Sequence, residues 1–514
     1  MVAAAGRRLA KGGPPALAAI ASGALFAASF PPLSWTALGF VAWVPLMLAV
    51  HAPDRANAAA RALAGLGCGA LFGLLALSID PPEVITGPAW VGVSAAVAVA
   101  FGLAGGVLAL PVLTPRLHAA LRGWGIVWLP ALVWAGVEYL RLVTTAGHQW
   151  GMTATAQIDV APLRAFLPLA GMWPIPLIVL ATNGAIVALI LAARGRWMWS
   201  RAALGWSVGA VAAAWILGGI LALLPPPEAT GTLRAAVVQP GEHVPDHPLT
   251  RPLIIRRQYA ELTGVITALH GPPTVAAQGA QLVVWPEASG WVDPLTPTGQ
   301  ALAQQVADVA ARSGATIVWP YFIRIDFDHT RNEAVLVYPD GRLSAPSTKA
   351  HPVWVIGERS ITADLHPVYT VDGVAVGLAL GPDGSYTDAL ARLARDGAQV
   401  VAVPTHDWAA YAGTQLAHLR VRAAEHRLAI VKADWRYGSA IVAPDGSVVA
   451  STPHATQLET MLSADVGVTT PGTPYSVSGD WLGVVSLVIA VTAVAAALVT
   501  GRVARRTLTQ TFSG

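Results

Sequence analysis

Long apolar runs dominate the two ends of the chain. Seven such runs precede a more polar central region and an eighth follows it: 14–31, 36–50, 60–79, 88–113, 124–143, 167–192, 204–224 and 481–500. A helix that spans a bilayer needs about 20 mostly apolar residues. The pattern therefore predicts an α-helical transmembrane domain of eight helices, with Pro31 and Pro32 forming a tight turn between the first two.

The central region has a different pattern, in which short apolar strands alternate with amphipathic helices. Strands are predicted at 233–239, 281–285, 316–319, 334–337, 374–380 and 399–403, and helices near 251–269, 297–313, 385–396 and 413–427. Asp340-Gly341 and Asp445-Gly446 predict hairpin turns. This alternation indicates an α/β fold in which helices cover the sheets. We therefore predict three segments, namely a seven-helix region at 1–231, an α/β domain at 232–478, and a last helix with a basic tail at 479–514.

Composition excludes two broad classes of protein. The chain is 54% hydrophobic and only 12% charged, about half of the roughly 25% that is usual in soluble domains. A purely soluble enzyme and a disordered chain are both inconsistent with these values. The net charge of +3 does not indicate nucleic-acid binding, because the excess basic residues lie in short loops between apolar runs.

The distribution of those basic residues predicts an orientation in the membrane. If the N-terminus is cytoplasmic, thirteen Lys and Arg residues lie in the inner segments, whereas the short outer loops contain only Arg141 and Arg164. Such an excess is typical of cytoplasmic loops. The sequence thus predicts a multi-pass protein of the cytoplasmic membrane with an extracytoplasmic α/β domain and both termini cytoplasmic.

Candidate catalytic groups follow the predicted strands of the central region. Glu287 comes after the strand 281–285, Lys349 is followed by Glu358, and the strand 374–380 ends at Gly381. Carboxylates and ammonium groups at strand ends are suited to proton transfer and oxyanion stabilisation. Lysine occurs three times against 29 arginines, which favours a specific role for Lys349. A surface carboxylate for Glu287, and an ion pair with Arg359 for Glu358, remain the structural alternatives.

These motifs resemble the apolipoprotein N-acyltransferase family, whose outer domain is similar to the nitrilase, or carbon–nitrogen hydrolase, superfamily. The resemblance extends over essentially the full chain and implies an αββα sandwich for the outer domain. Further matching positions are Glu138–Arg141, Asn332, Asp407-Trp408, His418–Arg420 with Glu425, and Thr473–Tyr475 with Gly479–Trp481.

The resemblance also implies a reaction and its partners. In that family a cysteine thiolate takes an acyl chain from a phospholipid and passes it to the N-terminal amine of a lipoprotein, with a glutamate base and a lysine that stabilises the oxyanion. Matched position by position, Glu287 is the base, Lys349 the stabiliser and Glu358 a supporting glutamate. No cofactor or metal is expected, since the histidines show no metal-ligand spacing and no phosphate loop is present.

The nucleophile position departs from the family pattern, because it falls on Gly381. Glycine has no side chain that could form an acyl-enzyme. The chain contains one cysteine, Cys68, which lies in the third apolar run and is interpreted as a helix-packing residue. Ser385 and Thr387 are weaker replacement candidates, because both lie where a helix begins and hydroxyl residues commonly cap helices. Further departures are His406, where the family usually has asparagine before Asp-Trp, and Trp435, which falls near a stretch that is rich in asparagine in the family.

Three functions are compatible with this sequence. The first is an N-acyltransferase homologue that binds phospholipid or lipoprotein but has lost thioester chemistry. The second is an active acyltransferase in which Glu287 and Lys349 assist a single-step transfer. The third is a transporter, which is disfavoured because the apolar runs contain almost no ionisable residues. Glu138 and Arg141, near the outer membrane boundary, are interpreted either as a structural pair or as functional groups.

Overall fold

A computed structural model describes residues 16–50, 67–71, 124–144, 151–197, 200–240, 279–326, 329–353, 358–453 and 460–511 of the chain. These residues form two compact units. The helical unit contains the described residues up to 224 and from 478 onward, and the α/β unit contains 225–477.

The helices are numbered along the whole chain. They are α1 (Ala16–Ala28), α2 (Val44–Val50), α3 (Trp124–Val143), α4 (Pro174–Ala193), α5 (Arg201–Ala222), α6 (Pro297–Ser313), α7 (Thr387–Arg395), α8 (Ala409–His426) and α9 (Trp481–Thr511). Shorter helical turns lie at Thr36–Phe40, Thr153–Ala156, Ala161–Arg164, Leu167–Ala170, Gly381–Ser385 and Pro474–Ser478.

Three of these helices, α3, α4 and α5, are long and apolar enough to cross a membrane. Shorter apolar helices lie at Ala16–Ala28, Thr36–Ala49 and Trp481–Ala496. Two predicted spans, 60–79 and 88–113, lie outside the described residues apart from 67–71. The prediction of eight spanning helices therefore remains a prediction.

The predicted span 167–192 is wrong in one respect, because it is not a continuous helix. The turn Leu167–Ala170 ends at Gly171, whose φ of +64° lies in the left-handed region. The helix α4 then begins at Pro174, where proline is favoured because its missing N–H has no intrahelical partner. An apolar run alone does not show such a break, since the hydropathy is the same on both sides.

Close backbone approach and one buried amide hold the helical unit together. A Cβ atom on Gly136 of α3 would lie 2.6 Å from the carbonyl oxygen of Ser486 in α9, so these two helices require glycine at this position. Asn183 of α4 accepts the backbone N–H of Trp43 at 2.9 Å and donates to the carbonyl of Gly39 at 2.9 Å.

The α/β unit contains twelve strands among its described residues. They are β1 (Gly231–Gln239), β2 (Leu282–Val284), β3 (Thr316–Arg324), β4 (Thr330–Val337), β5 (Ser347–Thr348), β6 (Tyr369–Val371), β7 (Val374–Leu378), β8 (Val400–Thr405), β9 (Ala429–Asp434), β10 (Ala440–Val442), β11 (Val448–Ser451) and β12 (Thr460–Val468).

These strands form two six-stranded sheets with related arrangements. The order is β12-β1-β2-β3-β4-β5 in the first sheet and β11-β10-β9-β8-β7-β6 in the second. The central strands β1, β2 and β3 are parallel in one sheet, and β7, β8 and β9 are parallel in the other. The flanking strands are antiparallel.

Alternating side chains explain why the two sheets pack as layers. Leu233, Ala235 and Val237 of β1 share one core with the second sheet, whereas Ala236 and Val238 point to the opposite face and contact the core that includes α6. A third core joins the second sheet to α7 and α8. The α/β unit is thus an αββα sandwich, as the family resemblance implied.

All six predicted strands are present, although several are longer than the pattern indicated. The strand predicted at 316–319 continues to Arg324, and the helix predicted at 413–427 begins already at Ala409. The strands β5, β6 and β9–β12 were not predicted. The helix predicted near 251–269 lies outside the described residues.

Candidate active site

The sandwich brings together residues that follow strands of both sheets. Glu287 lies three residues beyond β2, and Lys349 directly follows β5 in the same sheet. Glu358 lies in the loop after Lys349, and Gly381 follows β7 of the second sheet. The structure places these four sequence-predicted positions in one buried cluster.

An ion-pair network joins the three charged residues. Nζ of Lys349 donates to Oε1 of Glu287 at 2.9 Å and to Oε2 of Glu358 at 2.7 Å. The amide of Asn332, on β4, donates to Oε1 of Glu287 at 2.6 Å and to Oε1 of Glu358 at 3.3 Å. All four side chains are buried. Glu287 is therefore not an exposed carboxylate that closes a strand, and Glu358 pairs with Lys349 rather than with Arg359.

Burial and opposite charge act against each other at these groups. Burial alone would lower the pKa of the Lys349 ammonium, but Glu287 and Glu358 raise that pKa above its ordinary value. Burial would likewise raise the pKa of Glu358, whereas Lys349, the backbone N–H of Val353 and the hydroxyl of Ser360 bring it below the usual range. The ammonium therefore stays charged at neutral pH, which suits oxyanion stabilisation.

Gly381 lies directly against this network. A Cβ atom built on Gly381 would be 2.9 Å from Oε2 of Glu287 and 3.2 Å from Nζ of Lys349. Its φ of +54° lies in the left-handed region, at a turn that joins β7 to the helical turn Gly381–Ser385. A strand, a strained turn and a helix are the local context in which many hydrolases expose a nucleophile. Any side chain at position 381 would thus point at the Glu287–Lys349 pair.

The replacement candidate Ser385 faces a different group. Its hydroxyl donates to Oε1 of Gln415 and lies 3.2 Å from the hydroxyl of Tyr411. Gln415 in turn donates to the carbonyl of Gly381 at 2.8 Å. Ser385 therefore supports the turn from behind and makes no hydrogen bond to Glu287 or Lys349. Thr387 begins α7, and no contact of its hydroxyl with the network is present among the described residues.

Sequence reasoning missed the residues that hold the peptide of Glu287. Its backbone N–H donates to the carbonyl of Thr405 at 3.3 Å, and its carbonyl accepts the indole N–H of Trp435. Trp435 was noted only as a departure from the family pattern, and His406 packs near it with ring centroids 5.9 Å apart. The low lysine content could have pointed to one further group, Lys432, which lies buried near these residues.

A clamp between two loops was also missed. The buried carboxylate of Asp383 accepts the backbone N–H groups of Ala350 at 3.0 Å and of His351 at 2.8 Å. Asp383 follows Gly381 by two residues, and Ala350 follows Lys349 directly. The clamp therefore fixes the distance between the glycine turn and the lysine loop.

Two other sequence candidates belong to the helical unit. Cys68 is buried, and its carbonyl lies 2.7 Å from where a Cβ atom of Gly23 would be, which agrees with a packing position. Oε1 of Glu138 accepts hydrogen bonds from the backbone and hydroxyl of Thr153 and from the indole of Trp134. Glu138 therefore binds α3 to the turn Thr153–Ala156, which favours a structural role.

Two known families match separate parts of the chain. Residues 22–185 match the apolipoprotein N-acyltransferase N-terminal domain, and residues 234–469 match the carbon-nitrogen hydrolase family. The two matches do not overlap and together span most of the chain. The chain belongs to the apolipoprotein N-acyltransferase family. Membership accounts for a helical, membrane-associated region and a nitrilase-like domain within one polypeptide.

Individual relatives are similar to part of the chain. A protein described as a hydrolase in the pqqF 5′ region of Pseudomonas protegens is 27% identical over 210 residues, which cover 37% of this chain and 73% of the relative. An amidase from Nesterenkonia sp. is 20% identical with a TM-score of 0.37, covering 48% of this chain and 93% of the amidase. A Cys-to-Ala mutant of the Nesterenkonia AN1 amidase, from the nitrilase superfamily, has the same identity and TM-score over 51% and 95%.

Proposed function

We propose that this protein is a membrane-bound N-acyltransferase homologue that binds phospholipid and lipoprotein N-termini without forming a thioester intermediate. The observation that supports this proposal is that position 381, where the nucleophile is expected, is a glycine whose Cα lies against a buried glutamate–lysine pair. Family membership supplies the substrate classes, and the geometry supplies the reason for impaired chemistry.

Acyl transfer through a covalent intermediate needs a nucleophile next to its base. At position 381 only a hydrogen atom is available, and the base has instead paired with Lys349 at 2.9 Å. Among the described residues, no hydroxyl or thiol hydrogen-bonds to the carboxylate of Glu287 or to Nζ of Lys349. The base and the oxyanion-stabilising charge are thus retained around a position that provides no attacking atom.

The proposed location is the bacterial cytoplasmic membrane, with the nitrilase-like domain outside and both termini in the cytoplasm. Thirteen basic residues in the segments assigned to the cytoplasm, against two in the short outer loops, support this orientation. In this arrangement the site would be on the side of the membrane where lipoproteins are matured.

The proposal is tested by acyl labelling in proteoliposomes that contain phospholipid with a radiolabelled acyl chain. The wild-type protein and Gly381→Ala are expected to acquire no covalent label. Gly381→Cys, in a Cys68→Ala background, is expected to acquire label that hydroxylamine removes, because a thioester forms at the introduced thiol. Covalent label on the wild-type protein would contradict the proposal.

A second function is favoured by the two oxygens of Glu287. The hydrogen bonds from Asn332 and Lys349 both end on Oε1, whereas Oε2 is the atom nearest to the Cβ position of Gly381. Oε2 is therefore available to take a proton from an acceptor amine. In a single step, the amine nitrogen would bond to the ester carbonyl carbon, the ester C–O bond would break, and the proton would pass through Glu287 to the lysophospholipid alkoxide.

This alternative is tested with a diacylated lipopeptide as the acceptor in the same proteoliposomes. Single-step transfer predicts slow N-acylation by the wild-type protein, which Glu287→Gln abolishes. Gly381→Ala is expected to slow the transfer as well, because its methyl group would occupy space next to Oε2. Absence of N-acylated product after long incubation would eliminate this function and leave the binding proposal in place.

A further inference from the structure

Lys432 is a completely buried cation that the proposed chemistry does not use. It lies on β9, and its Nζ is 3.0 Å from Oδ2 of Asp407 and 3.5 Å from Oδ2 of Asp434. The same ammonium donates to the carbonyl of Gly438 at 2.8 Å. The chain has 29 arginines but only three lysines. A lysine at this position therefore indicates that the site requires a compact ammonium, which a guanidinium would not replace.

Asp434 connects this cation to two strand ends. Oδ2 of Asp434 accepts the hydroxyl of Thr405 at 2.7 Å and the backbone N–H of Asp407 at 2.9 Å, both just at or after the end of β8. Oδ1 accepts the backbone N–H groups of Arg436 at 2.9 Å and Tyr437 at 2.7 Å, just after β9. Without an adjacent cation, a buried carboxylate at this position would be strongly disfavoured.

Those two strand ends hold the peptide of Glu287. Thr405 accepts its backbone N–H, and Trp435, which follows Asp434, donates to its carbonyl. The next residue, Ala288, has a φ of +63°, a conformation that costs free energy for a residue with a side chain and persists only where its surroundings enforce it. The backbone N–H and C=O of Glu287 thus depend on residues that Asp434 organises.

We infer that Lys432 is a positioning residue for Glu287, acting through Asp434 on the ends of β8 and β9. The inference rests on the proposed role of Glu287 as the base beside position 381. In this role Lys432 acts through its neighbours rather than on a substrate: it fixes the direction in which the Glu287 carboxylate faces Gly381.

The experiment measures the titration midpoint of a thiol introduced at position 381, because that midpoint depends on the charges close to the thiol. The Gly381→Cys variant is prepared in a Cys68→Ala background, and the rate of alkylation by iodoacetamide is followed against pH. The close contacts of the new side chain are with the ends of Glu287 and Lys349, which can move by a few tenths of an ångström. A carboxylate close to the thiol raises the midpoint of the titration, so Glu287→Gln is expected to lower it by about one pH unit.

Lys432→Met separates positioning from a simple change of charge. Loss of a nearby cation alone would raise the midpoint. Loss of positioning lets Glu287 move away from the thiol and lowers the midpoint toward the value of Glu287→Gln. We expect the midpoint to fall, and we expect no fall when Lys432→Met is combined with Glu287→Gln, because coupled residues are non-additive.

Two further variants keep the test independent of folding and charge. Thr405→Val removes the hydroxyl that binds Asp434 while keeping the shape and every charge, and it is expected to lower the midpoint in the same direction. Arg234→Met removes a cation of the same domain, paired with Asp465 on the surface, and is expected to leave the midpoint unchanged.

The outcomes distinguish the inference from the proposed function. An unchanged midpoint in Glu287→Gln would overturn the placement of the base beside position 381, and with it the proposed function. A shift in Glu287→Gln together with an unchanged or raised midpoint in Lys432→Met and Thr405→Val would overturn only the positioning role of Lys432.

Discussion

Asp383 and His351 are joined through one carboxylate oxygen. Oδ1 of Asp383 accepts the backbone N–H of His351 at 2.8 Å and lies 3.0 Å from Nδ1 of its imidazole. This contact, together with the bond from Ala350, connects the turn after Gly381 to the loop after Lys349. The relative position of the two proposed catalytic loops therefore depends on a single buried carboxylate.

The first prediction concerns that carboxylate. Asp383→Ala leaves the backbone N–H groups of Ala350 and His351 without their acceptor, and buried unsatisfied donors cost about 1–3 kcal/mol each. We expect the free energy of unfolding of the detergent-solubilised protein to fall by about 3 kcal/mol, as measured by urea denaturation. Asp388→Asn, which changes an exposed partner of His351 but leaves both backbone N–H groups bound to Asp383, is the control and should have a much smaller effect. Equal losses in both variants would contradict the clamp.

The second prediction concerns pH and His351. Burial would lower the pKa of its imidazole, but hydrogen bonds to Asp383 and Asp388 raise it to about 9. The folded state thus holds a proton that the unfolded state loses near pH 6.5. The stabilisation is complete below about pH 6.5 and is lost as the pH rises through about 9. His351→Gln should remove this decline, which thermal denaturation between pH 6 and 9.5 measures; an identical pH dependence in the variant would refute the assignment.

The hydrophobic pattern predicted an α/β fold because its central strands are buried on both faces and are therefore continuously apolar, whereas the αββα sandwich was implied by the family resemblance. Strands such as β5, with two residues, and β6 and β10, with three each, are too short to show a periodic pattern. Their pairing depends on neighbouring strands rather than on their own sequence. The break at Gly171 was missed for a related reason, since a turn within an apolar run leaves hydropathy unchanged.

The candidate site was predictable to the extent that its residues lie in local motifs of the sequence. Glu287 was identified because a charged residue at the end of a predicted apolar strand is a local signal, whereas Lys349 was identified from the scarcity of lysine and from the family resemblance. The supports of Glu287 gave no such signal, because Thr405 and Trp435 lie at or just after strand ends of the second sheet, more than a hundred residues further along the chain. Only the three-dimensional packing of the two sheets brings them into contact.

The third prediction concerns the cation of the ion-pair network. Lys349→Met leaves Glu287 and Glu358 buried without their shared partner, and breaking a buried ion pair on one side costs about 3–5 kcal/mol. Adding Glu358→Gln should recover part of the loss in urea denaturation, because one buried charge is then removed. Arg342→Met, at an exposed pair with Asp340, serves as the control. A loss that Glu358→Gln does not reduce would show that charge imbalance is not its cause.

The fourth prediction concerns orientation in the membrane. In a Cys68→Ala background, Leu295→Cys places a thiol on the α/β unit at a side chain that is 81% exposed. Arg196→Cys places one in the exposed turn after α4. A membrane-impermeant maleimide added to intact spheroplasts should label Leu295→Cys at once, and Arg196→Cys only after permeabilisation. The reverse pattern would invert the proposed topology. Labelling of both variants in intact spheroplasts would show that the two sites do not lie on opposite sides of the membrane.

The fifth prediction concerns Asp407, the partner of Lys432. Burial raises the pKa of Asp407 to about 7; Lys432 opposes this rise, whereas the charges of Asp434 and Glu287 add to it. In the unfolded chain an aspartate has its ordinary pKa of about 3.9. Between these two values the folded state binds more protons than the unfolded state, so stability falls as the pH rises from about 4 to about 7.

Asp407→Asn cannot lose a proton and should remove that decline. The two proteins are compared by urea denaturation at several pH values between 4 and 7.5, where the variant is expected to show a flatter dependence. The window differs from that of His351, which acts above pH 6.5, so the two residues can be separated in one series of measurements. If the decline between pH 4 and 7 persists in Asp407→Asn, the extra proton of the folded state is held by another group.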